Sequence, residues 1–345
     1  MPLNSLPCVR GGGSALADSE GLFEADNPSV KAYALTAPFT QGSLTKLHKP
    51  QNNFNTERCF IMYNFSIGVI VDSFRLPIKD AVKKAAEVGA QGIQVYSTRG
   101  EMAPENLDAA ARAEFKRLVE GNGLVISALC GDLGGGGFSF AERNPEKIEK
   151  SKRILDLAKE LGTNVVTTHI GVVPEDVNHD RYKVMQEACY ELSRYADEIG
   201  AHFAIETGPE TSAVLKTFLD SLGSTGVGVN LDPANLVMVT GDDPVSAVYN
   251  LQKYIVHTHA KDGVQNFVED PEIVYGLKKR PVDVIVTGDS FDEVPLGEGS
   301  VPWPEYLKAL DDIGYKGFLT IEREVGDNPE ADIRKAVSFL EGYIR

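Results

Sequence analysis

The sequence predicts an α/β fold, a (β/α)8 (TIM) barrel, on three observations. Short β-branched runs alternate with amphipathic helical stretches from residue 62 to residue 345. The alternation repeats eight times, and such repetition makes parallel strands joined by helical crossovers. Eight units of this length match the roughly 250 residues of one closed barrel. A doubly wound open sheet is the competing arrangement.

The strands are read at 64–71, 91–96, 124–130, 164–169, 202–206, 226–232, 254–259 and 317–322. The first clear helix follows strand one, where Ile78, Ala81, Val82, Ala85 and Ala86 share a helical face and Gly89 stops it. Another precedes strand five, with Met185, Ala188, Cys189, Leu192, Tyr195, Ala196 and Ile199 on one face and Gly200 at its end. Asn144-Pro145, Asp243-Pro244 and Asn328-Pro329 are expected helix starts. The Asx side chain caps free amides, and proline at the first helical position gives up an N–H that had no partner. Residues 263–300 are too long for an ordinary connection and are expected to form an insertion or lid after strand seven.

Residues 1–61 lack any sustained period and are expected to be a low-order extension, the barrel domain being 62–345. The functional chain is expected to begin near Met62, the preceding segment being an extension or a misassigned start. No apolar run reaches the roughly 18 residues of a membrane span, and no secretory signal stands at the start. Lys and Arg total 34 against 50 Asp and Glu, a net charge of −16. That balance argues against nucleic acid or an anionic membrane as partner. Cys8, Cys59, Cys130 and Cys189 are scattered, as free thiols of a reducing, cytoplasmic compartment would be.

The strand ends carry the chemistry. Strand four ends on His169, five on Glu206, six on Asp232, seven on His259 and eight on Glu322. In a barrel of this kind the C-terminal strand ends converge on the active-site face. One such residue alone is often a helix cap or a solvated group. Three carboxylates and an imidazole on four successive strand ends form an O3N set, which suits Mn2+, Mg2+ or Co2+, and Zn2+ less exclusively. His257 and His259 share a strand face, so position alone leaves open which is the ligand.

At these residues the sequence resembles the sugar phosphate isomerase/epimerase superfamily of xylose-isomerase-like TIM barrels. The resemblance runs over roughly 65–342 and is carried by "IETG", "NLDPAN", "HTHAKD", "PLGEGSVPW" and "TIERE". It implies one divalent ion, Mn2+ first, held by Glu206, Asp232, His259 and Glu322. It further implies that a glutamate removes the proton α to the carbonyl of a keto sugar or sugar phosphate, giving an enediolate that a second group reprotonates. A homo-oligomer fits the family. Where the family often has a histidine three residues after the aspartate, this chain has Asn235.

The expected activity is therefore that of a metal-dependent sugar isomerase or epimerase, with Glu206 and Glu322 as the acid/base pair. His169 is an alternative base or a binder of substrate hydroxyls. Asn235, Lys261, Arg323 and Asp132 are candidate substrate contacts, although Lys261 and Arg323 are equally readable as solvent-facing ion pairs. The glycine run 131–138 lacks a phosphate-loop lysine and is expected to be a flexible loop at the mouth. Glu210 is read as a carboxylate favoured by a helix start, and Trp303 as an anchor for the last helix but one. Three other activities compete. A lyase or dehydratase, including one that cleaves an oxidised C-glycoside, would share the enolate step. Phosphodiester hydrolysis would need more histidines than the six present and a basic surface. A non-catalytic sugar-binding barrel would need no metal.

Overall fold

The computed structural model describes residues 62–281 and 288–344. The expectations for 1–61, including the start near Met62, lie outside the described residues. Eight strands close into a parallel barrel: β1 Ser66–Ile70, β2 Gly92–Tyr96, β3 Val125–Cys130, β4 Val165–Thr168, β5 His202–Glu206, β6 Val227–Leu231, β7 Ile255–Ala260 and β10 Phe318–Ile321. The ring runs β1-β10-β7-β6-β5-β4-β3-β2. β8 Asp262–Gln265 and β9 Phe291–Val294 form a separate antiparallel pair within the connection after β7. All eight predicted strands are present, each within two or three residues of its expected bounds, and the closed ring rules out the open sheet.

The helices are α1 Ile78–Glu87, α2 Ala109–Gly121, α3 Asn144–Leu161, α4 Asp180–Ile199, α5 Ser212–Leu222, α6 Pro233–Asn235, α7 Pro244–Leu251, α8 Pro271–Val274, α9 Trp303–Asp312 and α10 Pro329–Glu341. Their apolar faces pack on the outside of the barrel. Ala81, Val82 and Ala85 of α1 and Met185, Ala188, Cys189, Leu192 and Ala196 of α4 are buried as the spacing requires. Gly200 ends α4 in the left-handed region, φ 63°, where a side chain would be strained. A second, smaller cluster joins Ala128, Val165, Ala204 and Val256 of β3, β4, β5 and β7.

Two of the three Asx–Pro starts cap as expected. Asp243 accepts from the amides of Val245 and Ser246, and Asn328 accepts from that of Ala331. Asn144 does not. Its amide instead donates 3.0 Å to the Phe138 carbonyl, and α3 begins at Asn144 itself. The buried Phe138 carbonyl needs a donor there, and the tertiary demand overrides the local cap.

The glycine run also differs from expectation. It is held down, not loose: Phe138 N–H donates 2.8 Å to the Ile170 carbonyl, and Lys147 Nζ donates to the Gly134 and Gly137 carbonyls at 2.6 and 2.5 Å. Gly137 has φ 60°, and a Cβ there would lie 1.9 Å from the Ile170 carbonyl carbon. The run is glycine because the chain passes this close to the β4–α4 loop.

The long connection after β7 is organised by one carboxylate. Asp262 accepts from the amides of Gly263 and Gly297 at 3.0 Å, Val301 at 3.1 Å and the Trp303 indole at 2.9 Å. Trp303 thus anchors α9 through a hydrogen bond as well as by packing.

Candidate metal centre

β5 ends on Glu206, β6 delivers Asp232, β7 carries His259, and β10 delivers Glu322. All four are buried, and each offers a ligand atom within 4.8 Å of the others. His259 Nδ1 lies 3.5 Å from Glu206 Oε1, 3.4 Å from Asp232 Oδ2 and 3.3 Å from Glu322 Oε2.

A divalent cation fits this set. Asp232 uses Oδ1 to cap the short α6, accepting from the amides of Ala234 and Asn235 at 2.8 and 3.0 Å. Its Oδ2 is buried without a hydrogen-bond partner. An unpartnered carboxylate oxygen in a water-poor interior is costly unless a cation meets it. The electrostatics agree. Burial alone would lower the His259 imidazole, yet Glu322 and Glu206 hold it well above the usual histidine range. Burial raises Asp232, with His259 and Lys261 opposing that only in part. Positive charge is stabilised at this point.

The layer behind the four residues fixes their directions. His259 Nε2 is 3.1 Å from Gln94 Oε1 and 3.1 Å from Asn230 Nδ2, while Nδ1 faces the three carboxylates. Gln94 in turn donates 3.0 Å to Thr167 Oγ1 and also meets His257 Nε2 at 3.1 Å. His257 therefore lies in the layer below, and burial beside His259 brings its pKa down to about 3. Of the two histidines, His259 stands at the depth of the three carboxylates. Gln94 carried no signal in the sequence: it is a polar residue in mid-strand, on the far side of the ring.

The two glutamates have different partners. Asn235 Nδ2 donates 3.1 Å to Glu206 Oε1 and Asn230 Nδ2 donates 3.2 Å to Oε2, while His169 Nε2 stands 3.5 Å from Oε1. Burial would raise Glu206, but His169 and His259 keep it below the usual carboxyl range. Lys261 Nζ donates 3.0 Å to Glu322 Oε2 and 2.7 Å to Glu324 Oε2. Burial would raise Glu322 too; Lys261 and His259 hold it well below its usual range. His169 packs edge-on against Tyr275, just after α8, at 5.6 Å between ring centres.

The remaining candidates fall differently. Lys261 is buried against carboxylates and is not a solvent-facing pair. Arg323 pairs elsewhere: its guanidinium reaches Glu293 of β9 at 2.7 Å and Asp332 of α10 at 2.8 Å, which holds the hairpin to the barrel. Consecutive strand residues face opposite ways, which puts Arg323 outward where Glu322 faces in. Asp132 accepts 2.9 Å from the Gly134 amide within the glycine run. Glu210 is not at a solvated helix start. It is buried, accepts 3.0 Å from the Val173 amide, leaves Oε1 unpartnered, and burial pushes its pKa up to about 8.

A closed parallel barrel with an acidic, histidine-containing cluster at its strand C-termini defines the class. The chain belongs to the xylose isomerase-like TIM barrel family, whose model matches residues 82–343. A curated relative, the fructoselysine 3-epimerase of Escherichia coli O157:H7, is 25% identical over 259 residues, covering 72% of this chain and 86% of that protein. Among solved structures, a xylose isomerase domain protein from Planctomyces limnophilus superposes with a TM-score of 0.65 at 24% identity, over 82% of this chain and 97% of that one. The probable 3-DHS dehydratase AsbF of Bacillus anthracis superposes with a TM-score of 0.63 at 20% identity, over 80% and 99%. The structural likenesses speak for the fold. Among the described residues, no helix is long and apolar enough to cross a membrane.

Proposed function

We propose that this chain is a divalent-metal-dependent epimerase or isomerase of a keto sugar, acting through an enediolate with Glu206 and Glu322 as the proton-transferring pair. One observation carries the reading: two buried glutamates, from strands three places apart in the ring, meet at the same imidazole nitrogen while each has its own hydrogen-bond partners. A divalent ion, Mn2+ before Mg2+, Co2+ or Zn2+, would be held by Glu206, Asp232, His259 and Glu322 and would stabilise the charge that develops on the sugar oxygen.

The rest is done by side chains of this chain. One glutamate takes the proton from the carbon next to the carbonyl, and the other returns a proton to the opposite face. Because the step is reversible, which glutamate starts depends on the epimer presented. Lys261 keeps Glu322 ionised and oriented. Asn230 and Asn235 do the same for Glu206 with neutral donors, and His169 gives Glu206 a neighbour with which to exchange a proton. The curated relative's own activity, a 3-epimerisation, supports this reading.

Proton exchange tests it. The Mn2+-loaded protein in D2O with a panel of ketoses is expected to incorporate deuterium next to the carbonyl, and Glu206→Gln and Glu322→Gln are each expected to abolish this. Bound metal with no exchange on any ketose would favour elimination instead. The likeness to a dehydratase gives that alternative its support.

A further inference from the structure

The connection after β7 crosses part of the barrel rim, and its anchors lie on loops that follow earlier strands. Gln265 Nε2 donates 3.2 Å to the Met238 and Val239 carbonyls after β6. Glu272 of α8 pairs with Arg181 in the first turn of α4, which follows β4. Leu277 reaches the glycine run after β3, where a Cβ on Gly136 would lie 2.6 Å from the leucine Cδ2. A segment that leaves β7 and touches the loops after β6, β4 and β3 passes the end of β5, where Glu206 stands. This strap is braced along its path. Asp270 caps α8 through the Glu272 amide at 2.9 Å and pairs with Lys278 at 2.7 Å, and Arg280 forks onto Glu269 at 2.7 and 2.6 Å.

At its turn the strap points Tyr275 inward. The residue as a whole is half-buried, but its hydroxyl oxygen is buried. The ring meets His169 edge-on at 5.6 Å, and the hydroxyl enters the space that Gly208 leaves open. A Cβ on Gly208 would lie 3.0 Å from that hydroxyl and 2.5 Å from Asn235 Cβ, and its φ of 135° favours glycine besides. His169 Nε2 and Asn235 Nδ2 both approach Glu206 Oε1, at 3.5 and 3.1 Å. Tyr275 therefore stands against two neighbours of the oxygen that the proposed reaction uses.

We infer that Tyr275 is a substrate-contacting residue: with the strap seated, its ring forms the wall of the site on the Glu206 side and packs on the carbon–hydrogen face of the bound sugar. An aromatic ring gives broad, rigid contact, and small-molecule sites are lined in this way around a few polar groups. The ring grips the sugar and holds it toward Glu206, while the proton transfer stays with the glutamates. The sugar as occupant rests on the proposed function; the place of Tyr275 beside Glu206 does not.

The test uses the full, Mn2+-loaded chain and separates grip from chemistry. Deuterium exchange on a panel of free ketoses gives KM and kcat. Water-proton relaxation by the bound Mn2+, titrated with the same sugars, gives a dissociation constant without turnover. Tyr275→Ala is expected to raise KM and the dissociation constant about 10-fold, with kcat within about three-fold of the parent. Tyr275→Phe should recover most of that loss, because the ring makes the wall. Arg181→Gln, which unlatches Glu272, should move the same two constants the same way by a smaller factor. An unchanged dissociation constant in Tyr275→Ala, or a loss confined to kcat, overturns the inference and leaves the enediolate reading standing. A Tyr275→Ala variant that loses its Mn2+ also overturns it, by placing the ring in support of the cluster. Binding that Tyr275→Ala weakens, with no exchange even in the parent, sinks the enediolate reading and keeps the inference. No saturable response to any ketose in the parent sinks both.

Discussion

The two halves of the barrel rim are built alike and loaded differently. On one side, β1 to β4 end in Ile70, Tyr96, Cys130 and Thr168, with His169 just beyond; on the other, β5, β6, β7 and β10 carry or lead into Glu206, Asp232, His259 and Glu322. Both halves have the same parallel register and the same coat of helices. The scaffold therefore says nothing about which half reacts, and the chemistry lies in the side chains grafted on it. The loaded half needs a supporting layer, because every carboxylate brought out of water must find donors or a cation. Asn230, Asn235 and Lys261 supply it from within that half. Gln94 supplies it from the other, reaching His259 across a sequence separation of 165 residues.

The contrast can be broken most forcefully at its centre. Glu206→Gln and Glu322→Gln should each lower exchange by about 10²- to 10⁴-fold, read beside metal content so that a lost ligand is told from a lost base. A single variant that keeps its metal and its rate would remove that glutamate from the proton transfer. Gln94→Leu is the next step down. It should weaken metal affinity by about 10- to 100-fold, measured by calorimetric titration, because His259 loses a hydrogen-bond partner behind its ring. If the affinity is unchanged, the quiet half is scaffold and nothing more.

Glu210 tests the seam between the halves, since it joins the loop after β5 to the amide of Val173 after β4. Its folded pKa, about 8, stands above the ordinary 4.5. The unfolded chain therefore ionises first. The stability associated with the neutral, buried acid is complete below pH 4.5, falls as pH rises through 8, and stays level above it. Glu210→Gln should raise the Tm at pH 8 relative to the parent, by roughly 2–4 °C per kcal/mol for a domain of this order, and change it little at pH 4.5. A parallel shift at both pH values would mean that packing, not ionisation, is responsible. The smallest effect is expected from Cys130→Ala, on the quiet half. It should cost about 1 kcal/mol of stability for the lost packing, with exchange within a few-fold of the parent. A rate loss on the scale of the glutamate variants would erase the distinction between the halves.

Much of this is legible in the sequence. The strand ends at Glu206, Asp232, His259 and Glu322 are legible because strand length, composition and the alternation of elements are local properties, and parallel closure then forces those ends together. The helix stops at Gly89 and Gly200 and the caps at Asp243 and Asn328 are local in the same sense. Asn144 shows the limit: its capping signal is sound, but a carbonyl six residues earlier in the chain claims the side chain.

The amino-acid sequence by itself determined the barrel and placed Glu206, Asp232, a histidine of the 257/259 pair and Glu322 at successive strand ends, since both follow from periodicity and from where polar residues interrupt it. Only the tertiary structure decided which residues serve them. Gln94 behind His259, Arg323 turned away to Glu293, and Asp262 at the centre of the β7 loop depend on approaches between strands that are not ring neighbours or on loops folding back, and Lys261 turned onto Glu322 depends on the pairing of β7 with β10, far apart in the chain. No pattern along the chain encodes such an approach, because it is fixed by closing the ring and by the need of each buried charge for a partner.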